Sequence, residues 1–265
     1  MAQSPLVKVV PGPGRRTLVL ARPEVHNAFN EAVVRELHDA FEAAEADPEV
    51  RVVVLSSEGG TFCAGADLSW MRSMAAYTQE ENLRDSREMA AMFDAISACS
   101  KPVVARVQGA AIGGGVGLAV AADVTVGSVR ARFQLSEVRL GLAPAVIARH
   151  VIARIGASEA RRYFMTGERL DAAEALRIGL LHTVVEESAL DLEVERVVSA
   201  LLQGAPEAQA MCKVLARTIG HLSPDEADEE ASAIIAALRV GSEGQEGMNA
   251  FFEKRPPAWR EEECE

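Results

Sequence analysis

Two glycine-rich segments and one glutamate have the residue types to carry out chemistry. The segments are residues 62–67 (Phe-Cys-Ala-Gly-Ala-Asp) and 113–117 (Gly-Gly-Gly-Val-Gly), and the acid is Glu137. Each segment follows a β-like run and precedes a predicted helix, where the first backbone N–H groups lack intrahelical partners. Two such donors directed at one point would stabilise a thioester oxygen that gains negative charge. Glu137 would then transfer the proton.

Taken one at a time, these motifs and their neighbours have simpler interpretations. The second segment has Leu118 where a dinucleotide-binding G-x-G-x-x-G sequence needs its last glycine, and no P-loop sequence follows. Cys63 has no histidine close in sequence, so we do not assign it as a nucleophile. We interpret His150 as a packing residue. Arg139 is either a solvated residue or a receptor for a substrate carboxylate.

Composition excludes several classes of function. The 265 residues carry a net charge of −12, which opposes nonspecific nucleic-acid binding, and an aromatic content of only 5% opposes base stacking. The four cysteines are scattered without C-x-x-C spacing, so no metal site is predicted. The longest uncharged stretch, residues 107–122, is short for a membrane span. With no signal-like N-terminus, we expect a cytoplasmic protein without membrane contact.

The hydrophobic pattern divides the chain into two parts. Short β-like runs alternate with helical patterns as far as residue 185, which predicts an α/β core over residues 1–185. Helical patterns dominate afterwards, which predicts a helical subdomain over residues 186–265. The predicted strands are residues 6–10, 16–20, 51–56, 102–107, 124–127, 132–134 and 182–185. The predicted helices are residues 31–46, 67–74, 80–98, 113–121, 146–155, 157–166, 172–178, 190–203, 206–219, 227–240 and 243–253.

The motifs together resemble the crotonase superfamily, the enoyl-CoA hydratases and isomerases. The resemblance runs in order through nearly the whole chain. It is carried by residues 22–23 and 27–30, 62–68, 101–105 (Lys-Pro-Val-Val-Ala), 109–115, 136–141 and 243–255. It implies an α/β fold made of a spiral of ββα units with a C-terminal helical part, assembled as homotrimers or homohexamers. It also implies that the helical subdomain over residues 186–265 serves oligomerisation.

The resemblance also implies roles for individual residues. The N–H groups of Ala66 and Gly114 would form the oxyanion hole, and Glu137 would be the catalytic acid and base. Coenzyme A would enter as part of the acyl-CoA substrate, so no metal or other cofactor is expected. The residues implied to line the substrate and coenzyme A path are His26, Ala28, Ala64, Ala66, Asp67, Leu68, Ser69, Gly114 and Gly117.

One position departs from the family pattern. Hydratases with two glutamates carry the first of them at the position of Gly117. Water addition needs a base and an acid, whereas moving a double bond needs one shuttling carboxylate. The departure therefore favours a Δ3,Δ2-enoyl-CoA isomerase on mechanism alone.

A closer resemblance favours a hydratase instead. Residues 65–71 and 136–147 are similar to bacterial methylglutaconyl-CoA hydratases of leucine breakdown, where a glycine at this position is usual. We therefore predict a hydratase for a branched acyl-CoA such as 3-methylglutaconyl-CoA, with Gly117 leaving room for the substrate. The isomerase is the first alternative. An RNA-binding role and a noncatalytic coenzyme A-binding protein are two further alternatives, and the net charge argues against the former.

Overall fold

A computed structural model of the protein describes residues 5–260. The ranges outside the described residues are 1–4 and 261–265. The second range contains Cys264 and the end of the predicted helical subdomain. The strands are β1 (Val7–Gly12), β2 (Arg15–Leu20), β3 (Val52–Ser57), β4 (Thr61–Cys63), β5 (Val103–Val107), β6 (Ala110–Ile112), β7 (Val124–Ser128), β8 (Arg132–Gln134), β9 (Arg169–Asp171) and β10 (Thr183–Val185). The α-helices are α1 (Glu31–Ala46), α2 (Leu68–Met74), α3 (Gln79–Ala98), α4 (Gly114–Ala121), α5 (Ala148–Thr166), α6 (Ala172–Arg177), α7 (Leu190–Leu202), α8 (Pro206–Thr218), α9 (Pro224–Val240) and α10 (Ser242–Glu253).

The larger sheet has six strands in the order β1-β2-β3-β5-β7-β10. Only the β1–β2 hairpin is antiparallel. Every residue of β3 is buried, as expected of a strand covered on both faces. Val53 and Leu55 belong to the main core, whereas Val52 and Val54 pack in a second cluster with residues of α7. The α/β class predicted from the alternating pattern is confirmed.

A smaller sheet, with the order β4-β6-β8-β9, positions the chemical residues. Strands β4, β6 and β8 are parallel, and β9 is antiparallel to β8. The carboxyl ends of parallel strands meet at one edge, which is where open α/β sheets bind ligands. The first glycine-rich turn follows β4, the second follows β6, and Glu137 follows β8. Of these three strands, only β8 was predicted as a strand.

The helices after the sheets differ in how deeply they are buried. Helix α7 packs through Leu190, Val194 and Val198 on the larger sheet, whereas α8 and α9 have no buried residue. Gly156 has a non-helical φ of 73° and divides α5 at a kink, so the predicted break between residues 155 and 157 is confirmed. The division of the chain after residue 185 stays a prediction. Among residues 5–260, no helix is long and apolar enough to cross a bilayer.

Candidate active site

The first glycine-rich turn is attached to Phe29 through its backbone. The Phe29 N–H donates to the Gly65 carbonyl (2.9 Å), and the Asp67 N–H donates to the Phe29 carbonyl (2.9 Å). Successive amides of an extended segment point to opposite sides, so the N–H of Ala66 faces away from Phe29. Gly65 has a φ of 87°, a conformation that favours glycine.

Asp67 holds this turn in place and caps α2. Its carboxylate accepts hydrogen bonds from the Ser69 N–H (2.9 Å) and from Arg22 Nη2 (2.9 Å). Hydrogen bonding from Ser69, followed by the contact with Arg22, lowers the pKa of Asp67 despite its burial. Arg22 also donates to the Ala28 carbonyl, which ties this turn to the segment around residue 28. The carboxylate of Asp67 is therefore engaged by protein groups.

The segment around His26 is fixed beside the same turn. His26 and Asn27 both have positive φ angles, 55° and 54°. The His26 carbonyl accepts from the Ala64 N–H (3.0 Å), and its Nδ1 lies 3.2 Å from Thr61 Oγ1. The buried Asn27 donates to the carbonyls of Glu58 (2.7 Å) and Thr61 (2.8 Å). The sequence placed Asn27 in the family motif and beside the predicted coenzyme A path, but it did not reveal this bracing role, although asparagine is enriched at positive φ.

The second turn brings the start of α4 into direct contact with the first turn. Gly113 precedes the helix with a φ of 53°. A Cβ atom on Gly114 would lie 2.3 Å from Phe29 Cζ, and one on Gly115 would lie 2.2 Å from the Cys63 carbonyl oxygen. Both distances are too short for any side chain, so only glycine allows this approach.

Ala66 and Gly114 both line one cavity. An ideal Cβ position on Gly65 lies 3.6 Å from the Gly114 nitrogen. As the first residue of α4, Gly114 has an N–H group without an intrahelical acceptor. Within residues 5–260, neither amide has a protein acceptor. Two unpaired donors on one cavity form the arrangement that stabilises a developing oxyanion.

The opposite end of α4 is fixed by side chains. Thr125 Oγ1 donates to the Ala119 carbonyl (2.8 Å). Arg154 donates to the carbonyls of Val120 (3.1 Å) and Ala122. These bonds satisfy carbonyls that the helix leaves unpaired, and the cation complements the negative end of the helix dipole. Both ends of α4 are thus anchored, which holds the Gly114 amide in place.

Glu137 completes the site from β8. It begins a short 3-10 helix, Glu137–Leu140. A Cβ atom on Gly113 would lie 3.0 Å from Glu137 Oε1, so the carboxyl group lies against the start of α4. Glu137 Oε2 is buried and has no hydrogen-bond partner within the described residues. Burial raises the pKa of Glu137, which makes its carboxylate a stronger base than an exposed one.

These groups share a cavity of about 360 Å³. Among its described lining residues, Glu137 is the one ionisable side chain. Buried aromatic and aliphatic side chains form its inner wall, whereas exposed leucines surround its mouth. The inner wall includes Phe29, Phe93 and Ile147, and the mouth includes Leu68, Leu140 and Leu142. The cavity suits an apolar chain attached to a polar reacting group.

The structure brings only part of the predicted site to this cavity. The predicted residues that line it are Ala64, Ala66, Leu68, Gly114 and Glu137. The predicted residues outside its wall are His26, Ala28, Asp67, Ser69 and Gly117. The coenzyme would extend beyond the cavity mouth. The roles of His26, Ala28, Asp67 and Ser69 along its path therefore remain predictions.

Gly117 lies outside the described cavity wall. A Cβ atom on this residue would lie 2.3 Å from Ile147 Cγ2 and 2.9 Å from Phe93 Cε1. These two side chains fill the space beside Gly117 and line the cavity in its place, so the hypothesis that Gly117 leaves room for the substrate stays a prediction. A glutamate at position 117 would displace both of them. Sequence reasoning missed Ile147 and Phe93, and only their apolar character was visible in the sequence.

Three further residues are placed clearly. Burial raises the pKa of the Cys63 thiol to about 12, which confirms that it is no activated nucleophile. His150 is buried, with its ring centroid 6.0 Å from that of Phe93, and burial lowers its pKa to about 4. The prediction of a packing histidine is confirmed. Arg139 is exposed, with Nε 3.2 Å from the Cβ position of Gly167.

Comparisons with known proteins agree with this geometry. The enoyl-CoA hydratase/isomerase family matches residues 16–262. The enoyl-CoA hydratase ACTT6 of Alternaria alternata is 35% identical over 258 residues, covering 95% of this chain and 83% of the relative. The trans-2-decenoyl-acyl-carrier-protein isomerase of Streptococcus mutans is 31% identical, covering 92% and 94%. A crystal structure of an enoyl-CoA hydratase from Shewanella pealeana is 38% identical, with a TM-score of 0.93 and 96% of both chains covered.

The chain therefore belongs to the enoyl-CoA hydratase/isomerase family. It has the crotonase fold, and it is an enzyme of the hydratase/isomerase type. These three sequence-based predictions are confirmed. The comparisons include both a hydratase and an isomerase, so the choice between the two reactions depends on the site.

The buried carboxyl group of Glu137 predicts a pH-dependent cost to stability. Its pKa is raised in the folded protein, so the neutral form is favoured by folding and the charged form is disfavoured. Replacing Glu137 with Gln should therefore increase the free energy of unfolding at pH 7. The increase should shrink as the pH falls through the raised pKa toward 4.5. Urea denaturation at several pH values measures this, with Glu42→Gln on the exposed face of α1 as the control. An equal effect at all pH values would contradict the assignment.

Proposed function

We propose that the protein adds water to a 2-enoyl-CoA, and removes it in the reverse reaction, through an enolate of the thioester. The observation that carries this proposal is the buried, unpartnered Oε2 of Glu137 on the same cavity as the amides of Ala66 and Gly114. These groups are the parts that the reaction needs: two donors for the carbonyl oxygen and one carboxylate for the proton.

The proposed reaction uses one proton passed through one carboxylate. The substrate carbonyl accepts hydrogen bonds from the N–H groups of Ala66 and Gly114. Water adds through its oxygen to the β-carbon as Glu137 accepts its proton, and the electron pair of the double bond moves to the thioester oxygen. Glu137 then returns the proton to the α-carbon. Each oxyanion donor contributes about 3–4 kcal/mol in comparable sites, and the raised pKa of Glu137 favours proton acceptance.

An isomerase remains the second candidate because a specific observation favours it. Within the described lining, Glu137 is the single ionisable side chain, and one carboxylate is sufficient to move a double bond. In that reaction Glu137 would remove a proton from the α-carbon of a 3-enoyl-CoA and return it to the γ-carbon. A double-bond shift without hydration would identify this activity.

The cavity wall supports a branched acyl group with an apolar end. Three methionines, Met71, Met74 and Met89, line the cavity and adapt to irregular shapes. A free carboxylate, as in 3-methylglutaconyl-CoA, would meet no cation among the described lining residues. Arg139, for which a receptor role was one of two alternatives, is exposed with its Nε beside the Cβ position of Gly167. We therefore propose branched monocarboxylic 2-enoyl-CoAs as the preferred class, with 3-methylglutaconyl-CoA as a direct comparison.

The proposal also includes three predictions from the sequence, on the cofactor, on RNA binding and on the location of the enzyme in the cell. Coenzyme A enters with the substrate, and the chemistry above needs no resident cofactor. The net charge of −12 argues against RNA binding, and a gel shift in moderate salt tests this. The enzyme acts in the cytoplasm.

Activity measurements on Glu137→Gln test the proposed reaction. Glutamine keeps the shape of the side chain but cannot carry the proton, so we expect kcat for hydration to fall by about 10²–10⁴-fold. The panel contains crotonyl-CoA, 3-methylglutaconyl-CoA and 3-hexenoyl-CoA, and Glu42→Gln is the matched control. Hydration undiminished in Glu137→Gln would contradict the role of this residue. If the unaltered protein catalyses neither hydration nor isomerisation but binds coenzyme A, it is a noncatalytic coenzyme A-binding protein.

We also propose a homotrimer or homohexamer that uses the helical end of the chain. Phe251 and Phe252 on α10 are 79% and 75% exposed, and exposed apolar pairs of this kind mark interaction surfaces. Replacing both with Asp should reduce the mass measured by light scattering to that of a smaller species. Leu192→Asp, which alters an equally exposed leucine on α7, is the control. A monomeric mass for the unaltered protein would contradict the assembly.

A further inference from the structure

Two buried side chains of the cavity wall have no part in the proposed chemistry. Phe93 comes from α3, and Ile147 directly precedes α5. We propose that Phe93 and Ile147 are the floor of the acyl cavity and determine the length of the acyl chain that the enzyme accepts. This inference rests on the proposed function, because it assigns the acyl group to this cavity.

Burial distinguishes the floor from the mouth. Phe93 and Ile147 are 1% and 3% exposed, whereas Leu68 and Leu142 on the same cavity are 81% and 58% exposed. A chain that enters at the mouth with its carbonyl near Gly114 therefore reaches these two side chains from inside the protein. Both remain in contact with the cavity despite their burial.

The floor cannot retreat because it is supported from behind. The Cβ position of Gly117 lies 2.3 Å from Ile147 Cγ2 and 2.9 Å from Phe93 Cε1, so α4 lies directly behind both residues. The buried ring of His150 lies next to the Phe93 ring, with centroids 6.0 Å apart. Protein interiors of this density resist displacement. Because position 117 has no side chain, Ile147 and Phe93 can pack directly against α4, and this packing sets the depth of the cavity.

The side walls are built differently from the floor. Met71, Met74 and Met89 are unbranched and change rotamer easily. Ile147 is β-branched and stiff at χ1, and Phe93 is a rigid ring. The cavity should therefore tolerate differences in the width of the acyl group and discriminate against differences in its length. This property is consistent with a branched substrate.

The main test enlarges the floor. Ile147→Ala should raise the ratio of kcat/KM for 2-decenoyl-CoA to that for crotonyl-CoA by about tenfold or more, since each methylene accommodated in an apolar pocket is worth about tenfold or more. Ile152→Ala changes the same residue type on the exposed face of α5 and should leave the ratio unchanged. An unchanged ratio in Ile147→Ala, or an equal change in Ile152→Ala, would overturn the proposal.

A second pair of variants tests the support behind the floor. Gly117→Ala places a methyl group against Ile147 and should lower the same ratio by pushing the floor into the cavity. Adding Ile147→Ala to this variant removes Cγ2 and should restore the ratio. Thermal unfolding monitors whether Gly117→Ala folds, and if it does not, the Ile147→Ala result alone decides.

Ligand binding separates this inference from the proposed reaction. Calorimetry measures the Kd values of decanoyl-CoA and butyryl-CoA, which carry no double bond and need no turnover. Ile147→Ala should shift the ratio of these Kd values in favour of decanoyl-CoA by about tenfold. If the protein hydrates no substrate but the ratio of Kd values shifts, the proposed role of Phe93 and Ile147 is supported and the proposed reaction is wrong. If hydration occurs and neither ratio changes, the proposed role of Phe93 and Ile147 is wrong while the proposed reaction stands.

Discussion

The site depends on a backbone-to-backbone contact between the turn after β4 and the start of α4. Gly65 approaches the Ile112 carbonyl, and Gly115 approaches the Cys63 carbonyl, at distances that leave no space for a Cβ atom, and Gly114 lies in van der Waals contact beside Gly65. This contact brings two unpaired amides to one cavity without using any side chain. Because amides at such positions are held by the sheet and by the helix, they need little reorganisation when charge develops. The anchoring of α4 by Arg154 serves the same geometry from the opposite end.

Two acidic residues at the site differ in their surroundings, and this difference separates their roles. Asp67 is buried but receives hydrogen bonds from Ser69 and Arg22, which lower its pKa. Glu137 is half-buried, with its carboxyl group against Gly113. Its buried Oε2 has no partner within the described residues, and its pKa is raised. Burying a carboxyl oxygen without a partner destabilises a protein, and such groups recur at functional sites. Asp67 is thus a structural cap, whereas Glu137 keeps a carboxyl oxygen unpaired on the cavity.

Sequence reasoning found the local features of this site but not its packing. The position of α4 and the importance of Glu137 followed from glycine-rich turns and from the order of the motifs. The strands β4, β6 and β9 were missed, because three residues show little alternating pattern. The equally short β8 and β10 were predicted, so strand length alone does not decide the outcome. The neighbours of Gly117 could not be predicted, for a different reason. Its neighbour Ile147 lies 30 residues further along the chain, and nothing in the local sequence shows that its side chain fills the space beside this glycine.

The most direct test of the central claim is the infrared spectrum of a bound substrate. A 2-enoyl-CoA labelled with ¹³C at the thioester carbonyl, bound to the Glu137→Gln variant, reports the hydrogen bonds to that carbonyl without turnover. If the amides of Ala66 and Gly114 both donate to it, its stretching frequency should fall well below the value in water, because two aligned donors polarise the bond more than solvent does. A frequency equal to or above that of the free thioester would contradict the account.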